Sequence, residues 1–179
     1  MVIKNLANFF TFLRIGLAPV IFVCLLDSSM HLLALVLFMF ASFTDYLDGY
    51  FARKTNTVSV IGEVIDPIAD KILIVFIFYG LAVNLDSYLI AFAASVIVAR
   101  EIWVGALRDL NARNSNSDAT KVLFISKIKT TIQLFTISIY LLGLSINNML
   151  IIVIADILLF ISVFITLYTG FLYTYNTLK

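Results

Sequence analysis

Asp45-Tyr46-Leu47-Asp48-Gly49-Tyr50-Phe51-Ala52-Arg53 is followed, after eight intervening residues, by Gly62 and then by Asp66 and Asp70. Four aspartates crowd into this stretch of a chain in which only 13% of residues are charged. Asp45 and Asp48 are three apart and Asp66 and Asp70 four apart, so on helices each pair leaves one face about one turn apart. Four acids converging from two helix ends repel one another strongly unless a cation sits between them. Hard divalent ions such as Mg²⁺ or Mn²⁺ suit an all-carboxylate site, because they prefer oxygen ligands. Gly49 and Gly62 lack a Cβ and admit a ligand or a partner helix close to the backbone. Ala52, seven after Asp45, returns to the same face with a small side chain, and Arg53 adds a permanent cation suited to phosphate.

The surroundings of this stretch set its solvent. Of the 179 residues, 62% are hydrophobic, and the mean hydropathy is +1.06. Soluble domains are nearer about 45–50% apolar, so the chain is expected to be an all-α integral membrane protein, with residues 1–179 as one domain. Spans need roughly 20 apolar residues, and six are expected, over about 7–26, 31–53, 63–83, 87–108, 123–144 and 149–174. Apolar runs of this length leave helices, not an open sheet, as the workable structure in lipid. Residues 109–121 form the longest polar loop, and a second polar connection joins Thr55 to Gly62.

Charge gives the orientation. Lys4, Arg53, Lys54, Arg113, Lys121 and Lys179 fall on one side of the six-span map, whereas the turns near 27–31, 84–87 and 145–148 contain no Lys or Arg. The excess of Lys and Arg on cytoplasmic loops then places both termini and the 109–121 loop in the cytoplasm. All four aspartates converge at that end, together with Arg14, Lys71, Arg100, Arg108, Lys127 and Lys129. Ionisable residues inside a membrane are costly and mark function by default. Glu101 is expected to find a Lys or Arg partner, and for Asp156, alone in the sixth span, a structural hydrogen bond and a catalytic role both stay open. A net charge of +1 implies no polyanionic partner, so nucleic acid is not expected. Cys24 reads as a small buried hydrophobe, His31 as a loop residue at the membrane surface, and the Phe and Tyr residues as lipid-facing or packing groups. No cleavable signal peptide is expected, because the first hydrophobic run carries Arg14 and lacks a small-residue cleavage site.

The pattern D-x-x-D-G-x-x-A-R, eight residues, G-x-x-x-D-x-x-x-D resembles the signature of the CDP-alcohol phosphatidyltransferases, with every fixed position present. Arg100-Glu101-Ile102-Trp103-Val104-Gly105-Ala106-Leu107-Arg108 is similar to a run in the branch of that family that uses glycerol phosphate as acceptor, with Gly105 in place of the usual serine. Ser126-Lys127-Ile128-Lys129-Thr130-Thr131-Ile132-Gln133 is similar to a second run of that branch, with Ser126 in a glycine place. The opening from Asn5 to Arg14 is similar to a third, with Ala7 standing for proline and Phe10 for leucine. The resemblance covers most of residues 5–133, and the rest of the last two spans carries no specific signal.

The resemblance implies transfer of a phosphatidyl group from CDP-diacylglycerol to sn-glycerol 3-phosphate, with release of CMP. It implies two divalent ions held by Asp45, Asp48, Asp66 and Asp70, with Asp70 also the candidate base. Gly49, Ala52 and Arg53 would form the cytidine and phosphate side of the CDP-diacylglycerol site, with Asn8 and Arg14 as further nucleotide contacts. Arg100, Arg108, Lys127 and Lys129 are the cations assigned to the acceptor's phosphate, since bidentate Arg and Lys point charges suit it. Lys127 and Lys129 are two apart, so both reach one phosphate only if the segment is non-helical or their stems bend. A homodimer in the plasma membrane, with its active site on the cytoplasmic side, is also implied. Two other readings stay open: the same chemistry with phosphatidylglycerol, inositol phosphate or serine as acceptor, and a divalent-cation transporter that uses the acids as a transit site.

Overall fold

The computed structural model describes the backbone over 2–55, 60–114 and 124–178, and the side chains over 9–44, 65–114, 125 and 128–178. Among these residues the protein is all-helical. The six helices are α1 (Val2–Leu25), α2 (His31–Thr55), α3 (Val60–Asn84), α4 (Tyr88–Arg113), α5 (Phe124–Ser145) and α6 (Met149–Leu178). Over the described residues, α4, α5 from Ile128 and α6 are long and apolar enough to cross a membrane. Their exposed faces carry Phe92, Phe135, Phe160 and Phe164, the reverse of a helix that meets water. The chain is a membrane protein.

Three tight turns fold the helices into hairpins. Asp27 caps the 3₁₀ turn Ser28–Met30 by accepting from the Ser29 backbone N–H at 2.9 Å. That bond, helped by the Ser29 hydroxyl, holds the Asp27 carboxyl below the usual carboxylate range. The other two turns share one device. Asp86 and Asn147 take the left-handed conformation, with φ of 46° and 54°, which Asp and Asn tolerate better than most residues. The residue after each donates five positions back, Ser87 to Ala82 and Asn148 to Gly143, both at 2.9 Å. These bonds satisfy carbonyls that the helix end leaves open.

Packed neighbours follow the order α1–α2–α5–α6–α4–α3 and return to α1, with α3 also touching α5 across the ring. Cross-helix bonds fix the directions. Arg14 meets Asp70 while Leu25 meets Asn84, so α1 and α3 run parallel. Gln133 meets Thr166 while Tyr140 meets Asp156, so α5 and α6 run antiparallel. Ile21, Leu25, Phe38, Ile77, Phe78, Leu81, Ile137 and Leu141 fill the core toward the turn end of the bundle. The described Lys and Arg side chains, with Asp66, Asp70 and Glu101, gather toward the other end.

Several boundaries differ from the sequence reading. α4 continues to Arg113, five residues beyond the expected 108, so the 109–121 loop begins later than expected. An exposed Arg113–Asp109 pair at 2.7 Å, one turn apart, lies on this added turn. α2 runs through Thr55 and α3 starts at Val60, so both ends of the expected 55–62 connection are helical, and residues 56–59 lie outside the described ones. His31 is not a surface loop residue: it opens α2, is buried, and its Nε2 lies 3.0 Å from the Asn84 amide. Cys24 is buried and free, as expected.

Candidate active site

The two aspartates of α3 meet one cation. Asp66 and Asp70 are a turn apart on α3, and the Arg14 guanidinium reaches both from α1, bonding Asp70 through Nη1 and approaching Asp66 at 3.6 Å. The Thr11 hydroxyl also donates to Asp66. Arg14 is 1% exposed while the carboxylates are 41% and 39% exposed, so the cation lies beneath and the acids face outward. The sequence reading placed Arg14 at the nucleotide; the structure places it on the two acids. Asp45, Asp48, Gly49, Ala52 and Arg53 lie on the helical backbone of α2, and Asn8 on α1, but their side chains fall outside the described ones. Among the described residues no three His, Cys, Asp or Glu side chains form a metal-sized group. Asp66 and Asp70 nevertheless supply donors of the right kind, hard carboxylate oxygens from one face of α3 that stay outward-facing above Arg14.

Beside these acids, a cavity of about 880 Å³ lies between α3, α4 and α5. Asp70 and Lys71 line it from α3, Arg100, Glu101 and Arg108 from α4, and Lys129, Thr130 and Gln133 from α5. Ile74, Val75, Ile97, Val104 and Leu134 continue the wall apolar. Gly105 also faces this space, and a Cβ built there meets nothing within 4 Å.

Glu101 is the hub of the cations. It accepts from Lys129, from Arg100 Nη1 at 3.0 Å, and has Lys71 at 3.6 Å. The expected partner is therefore three partners, one of them its own neighbour Arg100. Four cations against Glu101 and Asp70 leave the cavity wall net positive. Arg100 and Lys129 are buried and Arg108 half-buried, whereas Lys71 is 45% exposed. Burial of these charges is tolerable because each has hydrogen-bond partners. The segment around Lys127 and Lys129 is helical, so a non-helical arrangement does not bring the two lysines together, and the Lys127 side chain lies outside the described ones. Asp156 accepts from Tyr140 across the α5–α6 pair.

Sequence reasoning missed what α6 contributes. Arg100 Nη2 donates to Thr169 at 2.8 Å, and Arg108 Nη2 donates to the Tyr173 hydroxyl at 2.8 Å. Both guanidinium groups lie over the Tyr173 ring, at 5.7 and 5.0 Å from its centroid. A Cβ at Gly170 would meet the Arg100 stem at 3.1 Å, so glycine there leaves Arg100 its room. The signal was present: Ser162, Thr166, Thr169, Gly170 and Tyr173 form a small and polar stripe at helical spacing in an otherwise apolar helix, and all five are buried. Lys71, which the sequence reading left out of the acceptor set, also joins the cluster.

Residues 4–169 match the family model described as CDP-alcohol phosphatidyltransferase. The chain is 38% identical to a CDP-diacylglycerol–glycerol-3-phosphate 3-phosphatidyltransferase of Rickettsia felis, with 95% of this chain and 93% of that one covered. It is 37% identical to the protein of that name from Rickettsia prowazekii, over 95% and 93% of the two chains. The like-named Bacillus subtilis protein is 34% identical, over 94% and 93%.

Proposed function

The chain belongs to the CDP-alcohol phosphatidyltransferase family, and from that premise we propose that it moves the phosphatidyl group of CDP-diacylglycerol to sn-glycerol 3-phosphate. The products are phosphatidylglycerophosphate and CMP. The observation that carries this is the shared wall on which Asp70 stands beside Arg100, Arg108 and Lys129. A base and a phosphate-binding cation cluster in one cavity are what a phosphorylated alcohol requires of an acceptor site. The names of the relatives agree with that acceptor.

Arg108 and Lys129 hold the acceptor's phosphate, with Arg100 and Lys127 assisting. The Arg108 Nε–H is buried with no acceptor among the described residues, a donor that a phosphate oxygen satisfies. With the phosphate held there, the primary hydroxyl at the other end of the glycerol is turned toward Asp70, which takes its proton as the oxygen attacks the phosphatidyl phosphorus. The P–O bond to CMP breaks as the new one forms. Gly49 and Ala52 give the cytidine room, Arg53 pairs with its phosphate and Asn8 lies on the nucleotide side, while Arg14 holds Asp66 and Asp70 from beneath. Asp45, Asp48, Asp66 and Asp70 would hold two divalent ions, Mg²⁺ or Mn²⁺, which supply charge neutralisation of the diphosphate when bound.

The setting belongs to the same proposal: six spans in the plasma membrane, both termini and the active-site end in the cytoplasm, and a homodimer. Soluble CDP and glycerol phosphate then meet the site from the cytoplasm while the acyl chains stay in lipid. The test is CMP release by purified protein in lipid–detergent micelles with CDP-diacylglycerol and Mg²⁺ or Mn²⁺. Glycerol 3-phosphate, phosphatidylglycerol, inositol phosphate and serine are offered in parallel. Turnover with glycerol 3-phosphate alone, lost with EDTA, is the expected result. Turnover with another acceptor would overturn the assignment of the cation cluster. Divalent-ion uptake into sealed vesicles without CDP-lipid, and no transfer, would replace the enzyme with a transporter.

A further inference from the structure

We propose that Tyr173, on α6, is a positioning residue for the acceptor's phosphate, which it serves by holding Arg108 at the cavity wall. The proposal rests on the acceptor reading above and adds a residue from a helix that contributes nothing to the cavity lining itself.

Arg108 needs such a hold. Its side chain is long and half-buried, at the end of the cavity's α4 wall, and no described acid forms an ion pair with it. Arg100 and Lys129, by contrast, are tied to Glu101. What orients Arg108 is Tyr173, which is 1% exposed. The phenol oxygen accepts from Nη2 at 2.8 Å, and the ring lies beneath the guanidinium at 5.0 Å. The hydroxyl fixes the plane of the fork and the ring fixes its height, so rotamer freedom is lost before substrate arrives. One Nη and Nε remain to meet a phosphate. An acid in place of Tyr173 would hold Arg108 as well but would cancel its charge. A neutral acceptor with an aromatic face orients the cation and leaves it attractive to an anion.

The same seam offers an internal control. Further along α4, the Asn111 amide donates to Thr177 at 2.8 Å, a part-buried α4–α6 bond outside the cavity lining. If the seam only joined two helices, loss of either bond would act alike.

Tyr173→Phe, Tyr173→Leu and Asn111→Ala are compared with the full-length protein in micelles. The readings are kcat, the KM for each substrate, and equilibrium binding of labelled sn-glycerol 3-phosphate without CDP-lipid. Loss of a hydrogen bond to a charged group predicts that Tyr173→Phe raises the KM and Kd for glycerol 3-phosphate by about tenfold. kcat and the KM for CDP-diacylglycerol stay within about twofold. Tyr173→Leu, which also lacks the ring, raises both constants further, and Asn111→Ala leaves them unchanged while lowering Tm. The proposal is overturned if Tyr173→Phe binds glycerol 3-phosphate like the parent, if the two substrates' KM values rise together, or if Asn111→Ala reproduces the effect. Parent protein that binds glycerol 3-phosphate but releases no CMP would sink the transferase reading alone, with the Kd comparison still deciding Tyr173. Parent protein that fails to bind it removes both.

Discussion

Glu101 shows how one residue can set both stability and binding. It answers Lys129, Arg100 and Lys71 at once, and Lys129 is 5% exposed. Removing one partner of a buried ion pair leaves an uncompensated charge, at a cost of about 3–5 kcal/mol. Glu101→Gln should therefore lower Tm markedly. Phosphate brought by the acceptor replaces the lost negative charge, so glycerol 3-phosphate should raise Tm by more in Glu101→Gln than in the parent. An equal rise in both would show that the bound anion does not meet these cations. Asp70 is the opposite case. Arg14 keeps Asp66 beside it when Asp70 is changed, so Asp70→Asn should retain the helical circular dichroism. Transfer should nonetheless fall by at least about 10²-fold, the lower range for a lost general base. Turnover like the parent's would refute the base. Asp66 and Asp70 were legible because their spacing is a property of one helix. The Arg14 contact was not, since it depends on which helix packs against α3.

Among the elements, the α5–α6 hairpin depends on a glycine. A Cβ at Gly143 would lie 3.0 Å from Ile152 Cγ1, 3.2 Å from Ile151 Cγ2 and 3.3 Å from the Ile152 backbone nitrogen. The carbonyl of Gly143 also takes the bond from Asn148 that closes the turn. Leucine is a far better helix former than glycine, so propensity alone predicts that Gly143→Leu stabilises. Overpacking against backbone predicts the reverse, by about 1–3 kcal/mol, and thermal unfolding in micelles should show the loss. The expected helix extents were close because apolar length is written along the chain. The added turn of α4, Asp109–Arg113, escaped because its residues are polar and its helical state rests on continuation from Arg108 and on contacts such as Asn111 with Thr177. The α6 stripe escaped for a related reason. Thr169 and Tyr173 look like ordinary membrane-helix residues until Arg100 and Arg108 are known to face them.

At the scale of the molecule, the ring order α1–α2–α5–α6–α4–α3 brings residues 14, 70, 100, 129 and 173 to one end of the bundle. Periodicity encodes which face of a helix is apolar but not which neighbour covers it, so this order had to come from the structure. What the charge pattern does predict is the direction in which the whole ring stands in the membrane. α4 offers the sharpest check. Its 26 residues span about 39 Å at 1.5 Å each, enough to cross a hydrocarbon core of about 30 Å. Tyr88 stands at one end, 87% exposed, and Asn114 caps the other. With the buried Cys24 replaced by alanine, single variants Tyr88→Cys, Asn114→Cys and Lys179→Cys can be labelled with a membrane-impermeant maleimide. In intact cells only Tyr88→Cys should react. In inside-out vesicles Asn114→Cys and Lys179→Cys should react and Tyr88→Cys should not. Reaction of Tyr88→Cys and Asn114→Cys from the same side would mean that α4 does not cross. Reaction of Asn114→Cys and Lys179→Cys from opposite sides would leave an odd number of crossings after α4 and end the six-span arrangement.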